Sequence, residues 1–423
     1  MRPQRLPEFR GPARAPAQIG SKYPMNTDLS TPQKSATWPL LALAVGAFGI
    51  GTTEFGPMGM LPTIAQGVGV SIPTAGMLVS AYATGVMVGA PIMTLLLSRW
   101  PRRQALIVLM AIFTLGNLAS ALAPNYASLL MARVLTSFNH GAFFGLGSLV
   151  AASLVPREKQ ASAVAAMFMG LTIANVGGVP AATWLGQAIG WRESFAAIAV
   201  LGLVAMTSLR LALPAGSAGT APNVRAELRV LTRPTVLMAL STTVLGAAAM
   251  FTLYTYINPS LETLTQASPG FITGMLVLIG VGFTIGNTLG GKLADKSVDG
   301  ALMGFLLLLA VVMIAFPWLS ASKIGTAVAL LVWGIAAFGV VPPVQMRVMR
   351  SATGAPGLAS SVNIGAFNLG NALGAALGGV VLQAGLGYAS VSIAGAALAA
   401  VGFVLVLAQS QQARRGVLAP QPQ

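Results

Sequence analysis

The sequence predicts an all-α membrane protein: twelve transmembrane helices arranged as two pseudo-symmetric six-helix halves. Three observations predict it. Of 423 residues, 55% are hydrophobic and 8% charged, whereas a soluble domain carries about a quarter charged residues. The apolar runs reach roughly twenty residues, enough to cross a ~30 Å hydrocarbon core at 1.5 Å per residue. The basic residues fall on alternate connections between those runs.

The spans follow from charged, proline-rich and glycine-rich punctuation. Span 1 (38–63) ends in GIGTTEFGPMGMLP and contains Glu54. Span 2 (73–97) runs into the basic turn TLLLSRWPRR, after which span 3 (104–123) begins. Span 4 (126–154) carries Arg133 and His140, span 5 (161–188) carries Gly170, Gly178 and Pro180, and span 6 (194–213) follows Gly-Trp-Arg. Residues 214–233 form the longest interior polar connection and divide the spans six and six. The second half holds span 7 (234–257), span 8 (269–291), span 9 (301–319), span 10 (324–346), span 11 (356–382) and span 12 (388–408). The expected organisation is therefore a disordered tail over 1–36, half one over 37–213, a linker over 214–233, half two over 234–408 and a tail over 409–423. The Arg- and Pro-rich start lacks the apolar core of a signal peptide, and Met25 is an alternative start.

Lysine and arginine set the orientation. Both tails and the turns holding Arg99, Arg102, Arg103, Arg157, Lys159, Arg210, Arg225, Arg229, Arg233, Lys292, Lys296, Arg347 and Arg350 lie on one side. Only Arg192 and Lys323 lie on the other, and Arg133 lies inside a span. Both termini are thus expected in the cytoplasm, with the chain in the inner membrane. The net charge of +15 reads as topology and not as nucleic-acid binding, because no basic stretch is interleaved with stacking aromatics. With no cysteine and one histidine, thiol chemistry and a multi-histidine metal site are excluded.

Small residues recur four apart in the second helix of each successive group of three. Gly85 and Gly89 mark span 2, Gly170, Ala174 and Gly178 span 5, Gly282, Gly286 and Gly290 span 8, and Gly370, Gly374 and Gly378 span 11. Such a stripe lets backbones approach closely in lipid. Its recurrence points to a three-helix unit used four times.

Four stretches carry a resemblance to a known family: GTTEFGPMGMLPTIA (51–65), ARVLTSFNHGAFFGLGS (132–148), GLTIANVGGVPAATWLGQAIGWR (170–192), and the pair WGIAAFGVVPPVQMRVM and ASSVNIGAFNLGNALGAALGG from Trp333 and Ala359. In this order they resemble the major facilitator superfamily, its twelve-span drug:proton antiporter family and the branch of arabinose-efflux permeases. The resemblance implies the major facilitator fold, a monomer working by alternating access, and no cofactor beyond a proton gradient. It also marks Arg99, Arg102, Arg103, Gly291, Asp295, Gly178 and Pro180 as conformational-motif positions. Ser98 stands where the superfamily's turn usually has aspartate, Pro101 where it has glycine, and Ser137 replaces a glycine of the fourth-span motif. The latch that the missing aspartate implies is therefore expected to weaken or to pass to Asp295.

A charge at mid-membrane costs about 2.5–3.5 kcal/mol even on insertion scales, so it needs a partner or a function. Glu54 lies about ten residues from the outer end of span 1 and Arg133 about eight from that of span 4, depths of ~15 Å and ~12 Å. Glu54 is the expected proton site, with Arg133 tuning its protonation; a fixed structural ion pair is the alternative. His140, two turns after Arg133, is a relay candidate or a hydrogen-bonded interior residue. The resemblance assigns the cavity to spans 1, 4, 7 and 10, which offers Phe55, Asn139, Phe143, Tyr254, Tyr256, Asn258, Trp333 and Gln345 for a small-molecule substrate. Asn175, Asn363, Asn368 and Asn371 are assigned to interhelical hydrogen bonds.

The expected function is secondary transport, as proton-coupled efflux of a sugar, nucleoside or drug across the bilayer. A facilitator or proton-coupled importer is the alternative. An enzyme is disfavoured because the chain has no HExxH, GxSxG or P-loop, and a channel because it shows no ring of pore-lining charges.

Overall fold

The computed structural model describes residues 36–215 and 224–418. Most of the expected 1–36 tail, the linker positions 216–223 and residues 419–423 lie outside the described residues. Within them, twelve helices are long and apolar enough to cross a membrane. In order these are Thr37–Gly59, Thr74–Leu96, Arg102–Ala121, Tyr126–Ser153, Arg157–Ala188, Trp191–Ala212, Pro234–Tyr254, Gly270–Lys296, Val298–Leu319, Lys323–Ser351, Pro356–Gln383 and Gly387–Gln411.

Local chemistry explains where these helices start, break and stop. Asn125 and Ser128 form a reciprocal capping box that starts span 4. Ser297 closes span 8 and caps span 9, its Oγ accepting from the Gly300 N–H at 3.1 Å, so the turn between them is a single residue. Span 1 stops earlier than its apolar run: Met60 bonds back to the Pro57 carbonyl, and the chain restarts as the short helix Leu61–Gly67. In span 10, Pro342 and Pro343 supply no N–H, and the helix breaks at Val340 before resuming as Val341–Ser351. Span 5 contains a π segment, Ala174–Gly178, in which the Val179 N–H reaches back to the Ala174 carbonyl. Pro180 follows at once and cannot donate to the ladder, so the wider turn is the local accommodation. The linker contains a helix, Val224–Leu231, and the last helix continues to Leu418, beyond the expected end near 408.

The small-residue stripes account for packing inside each half. Span 2 lies on span 4, span 5 on span 1, span 8 on span 10 and span 11 on span 7. The four-fold recurrence therefore has a spatial rule: the second helix of each three-helix unit docks on the first helix of its companion unit. Two positions show how tight the approach is. A Cβ at Gly170 would stand 1.9 Å from the Ala44 carbonyl oxygen, and one at Gly286 would stand 2.2 Å from that of Ile335.

Between the halves, span 5 meets span 8, and span 11 meets spans 2 and 4. Hydrogen bonds that join the halves lie toward the end of the bundle that carries the arginine-rich turns, called the basic end below. Thr94 donates to Ser361 at 2.7 Å, Gln345 to Ser148 at 3.1 Å, and Asn287 to the Ala165 carbonyl at 2.7 Å. Asp295 accepts from the Ala161 and Ser162 N–H groups at 2.7 and 3.1 Å. A carboxylate from half two thereby caps a helix start in half one, where free N–H groups and the helix dipole favour negative charge.

Candidate functional site

The site is assembled from spans 1, 2 and 4 of half one. Thr53, one residue before Glu54, donates its hydroxyl proton to Asn117 at 2.6 Å, and Asn117 is held in turn by the Phe113 carbonyl. The spent proton leaves the Thr53 oxygen as an acceptor for Arg133 Nη1 at 3.1 Å. Arg133 is fully buried, with its guanidinium 4.3 Å from the Tyr82 ring centre and 5.7 Å from that of Phe195. Aromatic faces supply part of the charge stabilisation that water would otherwise give. Its Nε and Nη2 have no hydrogen-bond partner among the described residues.

His140 stands between this group and Glu54. Its Nδ1 lies 3.2 Å from the Tyr82 hydroxyl, and its Nε2 lies 4.0 Å from Glu54 Oε2. The second distance is too long for a hydrogen bond, and the two groups interact as charges only when the imidazole is protonated. Glu54 finds His140 within 4 Å, whereas Arg133 is held by Thr53 and Tyr82; no ion pair within that limit joins Glu54 to Arg133 among the described residues. The fixed Glu54–Arg133 pair weighed from the sequence is not formed here. The cause is helical phase: the residue that faces Arg133 is Thr53, one position and about 100° away from Glu54.

Glu54 and His140 open onto a cavity between the halves whose lining includes Phe144, Phe168, Phe251, Tyr254, Phe283 and Phe367. Of the proposed substrate residues, Phe55, Tyr254 and Gln345 line it. Asn139 and Phe143 do not: both are fully buried one position before His140 and Phe144, which take the cavity face. Trp333 is buried in a second layer, its ring 5.9 Å from Tyr254 and 5.8 Å from Phe283. Tyr256 lies past the end of span 7 and donates to the Ala375 carbonyl at 2.9 Å, and Asn258 is exposed on the short helix Ile257–Thr265. Asn175, Asn363 and Asn368, assigned to helix packing, line the cavity, while Asn371 does not. Asn363 does both, donating to Gln345 and accepting from Thr243, each at 2.6 Å.

Reading the cavity as spans 1, 4, 7 and 10 missed residues from spans 5, 8 and 11. Two signals pointed to the aromatic ones: Phe144 follows His140 by four, and Phe251 precedes Tyr254 by three, spacings that share a helix face. Tyr82 had no such signal, since its partners lie 51 and 58 positions away in sequence. The free volume of the cavity is about 50 Å³. That suits a few waters, whereas drug-sized ligands occupy roughly 300–1,000 Å³. The halves must part before a solute enters.

Of the conformational-motif positions, Asp295 and Gly291 meet the start of span 5, a Cβ at Gly291 standing 2.6 Å from that of Ala165. Gly178 ends the π segment against Thr52 and Phe48 of span 1, and Pro180 is exposed just after it. Arg103 donates to the Leu213 carbonyl at 3.2 Å, Arg102 opens span 3, and Arg99 is exposed. Ser98 bonds only within its own turn, to the Leu95 carbonyl at 2.6 Å. The cross-half contact is made by Asp295 alone of this pair.

Twelve spans in two halves, with a carboxylate at a cavity between them, define a secondary transporter. The chain belongs to the Major Facilitator Superfamily, whose model matches residues 43–363, a family of transporters and not of enzymes. It is 68% identical over 375 residues to "Inner membrane transport protein YdhP" of Escherichia coli (strain K12), covering 89% of this chain and 96% of that protein. It is 34% identical over 342 residues to the "Chloramphenicol resistance protein" of Streptomyces lividans, covering 79% and 87%. Among solved structures, the human organic anion transporter MFSD10 superposes with a TM-score of 0.71 at 15% identity, covering 89% of this chain and 99% of that one.

Proposed function

We propose that this transporter is a proton-coupled antiporter that exports a small organic solute across the inner membrane, with both termini in the cytoplasm. The observation that carries the reading is the position of Glu54: one carboxylate, at the cavity wall, 4.0 Å from the chain's only histidine. A group that binds one proton reversibly at the solute site makes proton and solute competitors, which is the requirement for exchange.

In the proposed cycle the basic end faces the cytoplasm and is closed in this conformation by Asp295, Gln345, Asn287 and Thr94. Protonation of Glu54 from the outer side favours solute release. The halves then rock, the basic end opens, and arriving solute displaces the proton inward. His140 hands the proton to or from Glu54, and Arg133, fixed by Thr53 and Tyr82, keeps a positive field beside the carboxylate. The name of the Streptomyces relative supports the outward direction and a drug among the solutes; sugars and nucleosides stand beside it.

The experiment is transport by purified protein in proteoliposomes, using labelled pentoses, nucleosides and chloramphenicol with and without an imposed pH gradient. Gradient-driven accumulation of one of them supports antiport. Equilibration that ignores the gradient identifies a facilitator, and co-directional movement of proton and solute identifies an importer.

A further inference from the structure

The cavity differs from a general polar site in which hydrogen-bonding groups it leaves free. Asn175 and Asn368 each donate their amide to the carbonyl four residues earlier, Leu171 and Ile364, at 2.9 and 3.0 Å. A carbonyl can only accept, so the amide nitrogen must face it and the side-chain oxygen must point elsewhere. Neither Oδ1 accepts a hydrogen bond from a described residue, and both residues line the cavity. The other two amides in the wall have their oxygens occupied: Gln345 donates to Ser148 and Ser360 and accepts from Asn363, which accepts from Thr243.

The wall thus leaves two amide oxygens and a carboxylate uncommitted, beside the second N–H of Asn175 and of Asn368 and the imidazole of His140. Asn175 Oδ1 lies on span 5, Asn368 Oδ1 on span 11 and the Glu54 carboxylate on span 1, with the Tyr254 hydroxyl able to play either role. Two of the acceptors are placed by identifiable devices. Asn175 sits inside the π segment that Pro180 imposes, and Asn368 lies one residue after Phe367, whose ring packs edge-on to Phe251. No lysine or arginine lines the cavity among the described residues, and Arg133 is covered by Tyr82 and Phe195. The remainder of the wall is apolar, aliphatic at Leu171, Met250, Val341, Val344 and Ile364 and otherwise aromatic faces, which attract flat rings and positive charge and repel negative charge.

We propose that the transported solute is an aromatic compound that presents N–H or O–H donors and carries no negative charge. The aromatic part packs between Phe168 of half one and Phe251 and Phe283 of half two, and its donors meet Asn175, Asn368 and deprotonated Glu54. A polyhydroxylated sugar fits poorly, because it brings no flat apolar face to a wall that is mostly apolar. An aromatic carboxylate is rejected by Glu54 and by the ring faces. This inference rests on the cavity's being the transport site. It does not depend on proton coupling.

The test is equilibrium binding to detergent-purified protein at one pH, with no gradient. Chloramphenicol, an aromatic amine and an aromatic alcohol are compared with 4-nitrobenzoate and arabinose. At least one donor-bearing aromatic is expected to bind ten times or more tighter than 4-nitrobenzoate and arabinose. Asn368→Leu and Asn175→Leu are expected to weaken that binding about tenfold each, the loss of one hydrogen bond. Asn371→Leu, off the cavity, leaves it unchanged, and a thermal melt of each variant checks that it folds. Tighter binding of arabinose or 4-nitrobenzoate, or no binding by any aromatic donor, overturns the proposal. A result in which the binding order holds but Glu54→Gln transports normally leaves the substrate class standing and removes the antiport reading.

Discussion

Glu54 on span 1 and His140 on span 4 face each other across 4.0 Å at the edge of the cavity between the two halves. Neither residue is closed by the other: the carboxylate keeps its access to the cavity, and the imidazole is oriented from behind by Tyr82 at 3.2 Å. When Tyr82 donates to Nδ1, the ring's own proton sits on Nε2, the nitrogen that faces Glu54. The geometry thus brings three side chains from three helices into one line, with a hydrogen bond on one side of the imidazole and a 4.0 Å gap on the other.

Removing the tyrosine hydroxyl frees that tautomer. Tyr82→Phe keeps the ring over Arg133 and is expected to move the pH profile of transport by about one unit, one pH unit being about 1.4 kcal/mol of differential interaction. Solute affinity at a fixed pH should change less than threefold. The readout is initial transport rate against pH in proteoliposomes, and an unmoved profile removes Tyr82 from the proton path.

Arg133 is held by one hydrogen bond and two aromatic faces while two of its nitrogens go unpartnered. Thr53→Val removes that bond without changing charge, and should lower transport several-fold with a stability loss of about 1–3 kcal/mol, the cost of leaving a buried charged donor unpaired. Arg133→Gln should cost more in transport than Thr53→Val. Rates and thermal melts measured together separate the two effects.

Asp295 ties the basic end through span 5, so Asp295→Asn, which keeps the shape and removes the charge, should loosen it. The chain has no cysteine, which makes a single introduced thiol a clean reporter. With Ser148→Cys as the reporter between the halves, Asp295→Asn is expected to raise its labelling rate about three- to tenfold. An unchanged rate means that the closed end is held by other contacts.

Glycine substitutions separate packing from composition. Gly286→Ala places a carbon against the Ile335 carbonyl and is expected to lower the melting temperature strongly, by overpacking worth about 1–3 kcal/mol or more. Gly304→Ala meets nothing within 4 Å and should be neutral or slightly stabilising, since alanine is the better helix former.

Span count and the division into halves were legible because hydropathy, loop charge and the glycine stripes are local, periodic signals. The site was legible only in part. Glu54 and Arg133 stood out because charge in an apolar run is conspicuous, but their partners depended on helical phase, which placed Thr53 and not Glu54 against Arg133. The same one-residue phase sets Asn139 behind His140, which the sequence had also singled out, and Phe143 behind Phe144. Asn175 was read as a packing residue because nothing in its local sequence shows that Pro180 widens the turn. The second-layer place of Trp333 and the partners of Tyr82 were not legible, because a second layer and a partner on another helix are properties of the folded bundle alone.

The central claim, that Glu54 carries the exchanged proton, is tested most directly by comparing wild type with Glu54→Gln under an imposed pH gradient, using the tightest-binding solute of the panel above. The wild type is expected to accumulate solute against its gradient. Glu54→Gln should lose that accumulation while still exchanging labelled for unlabelled solute, because the cavity and its rocking remain. Gradient-driven accumulation by Glu54→Gln at the wild-type rate contradicts the account.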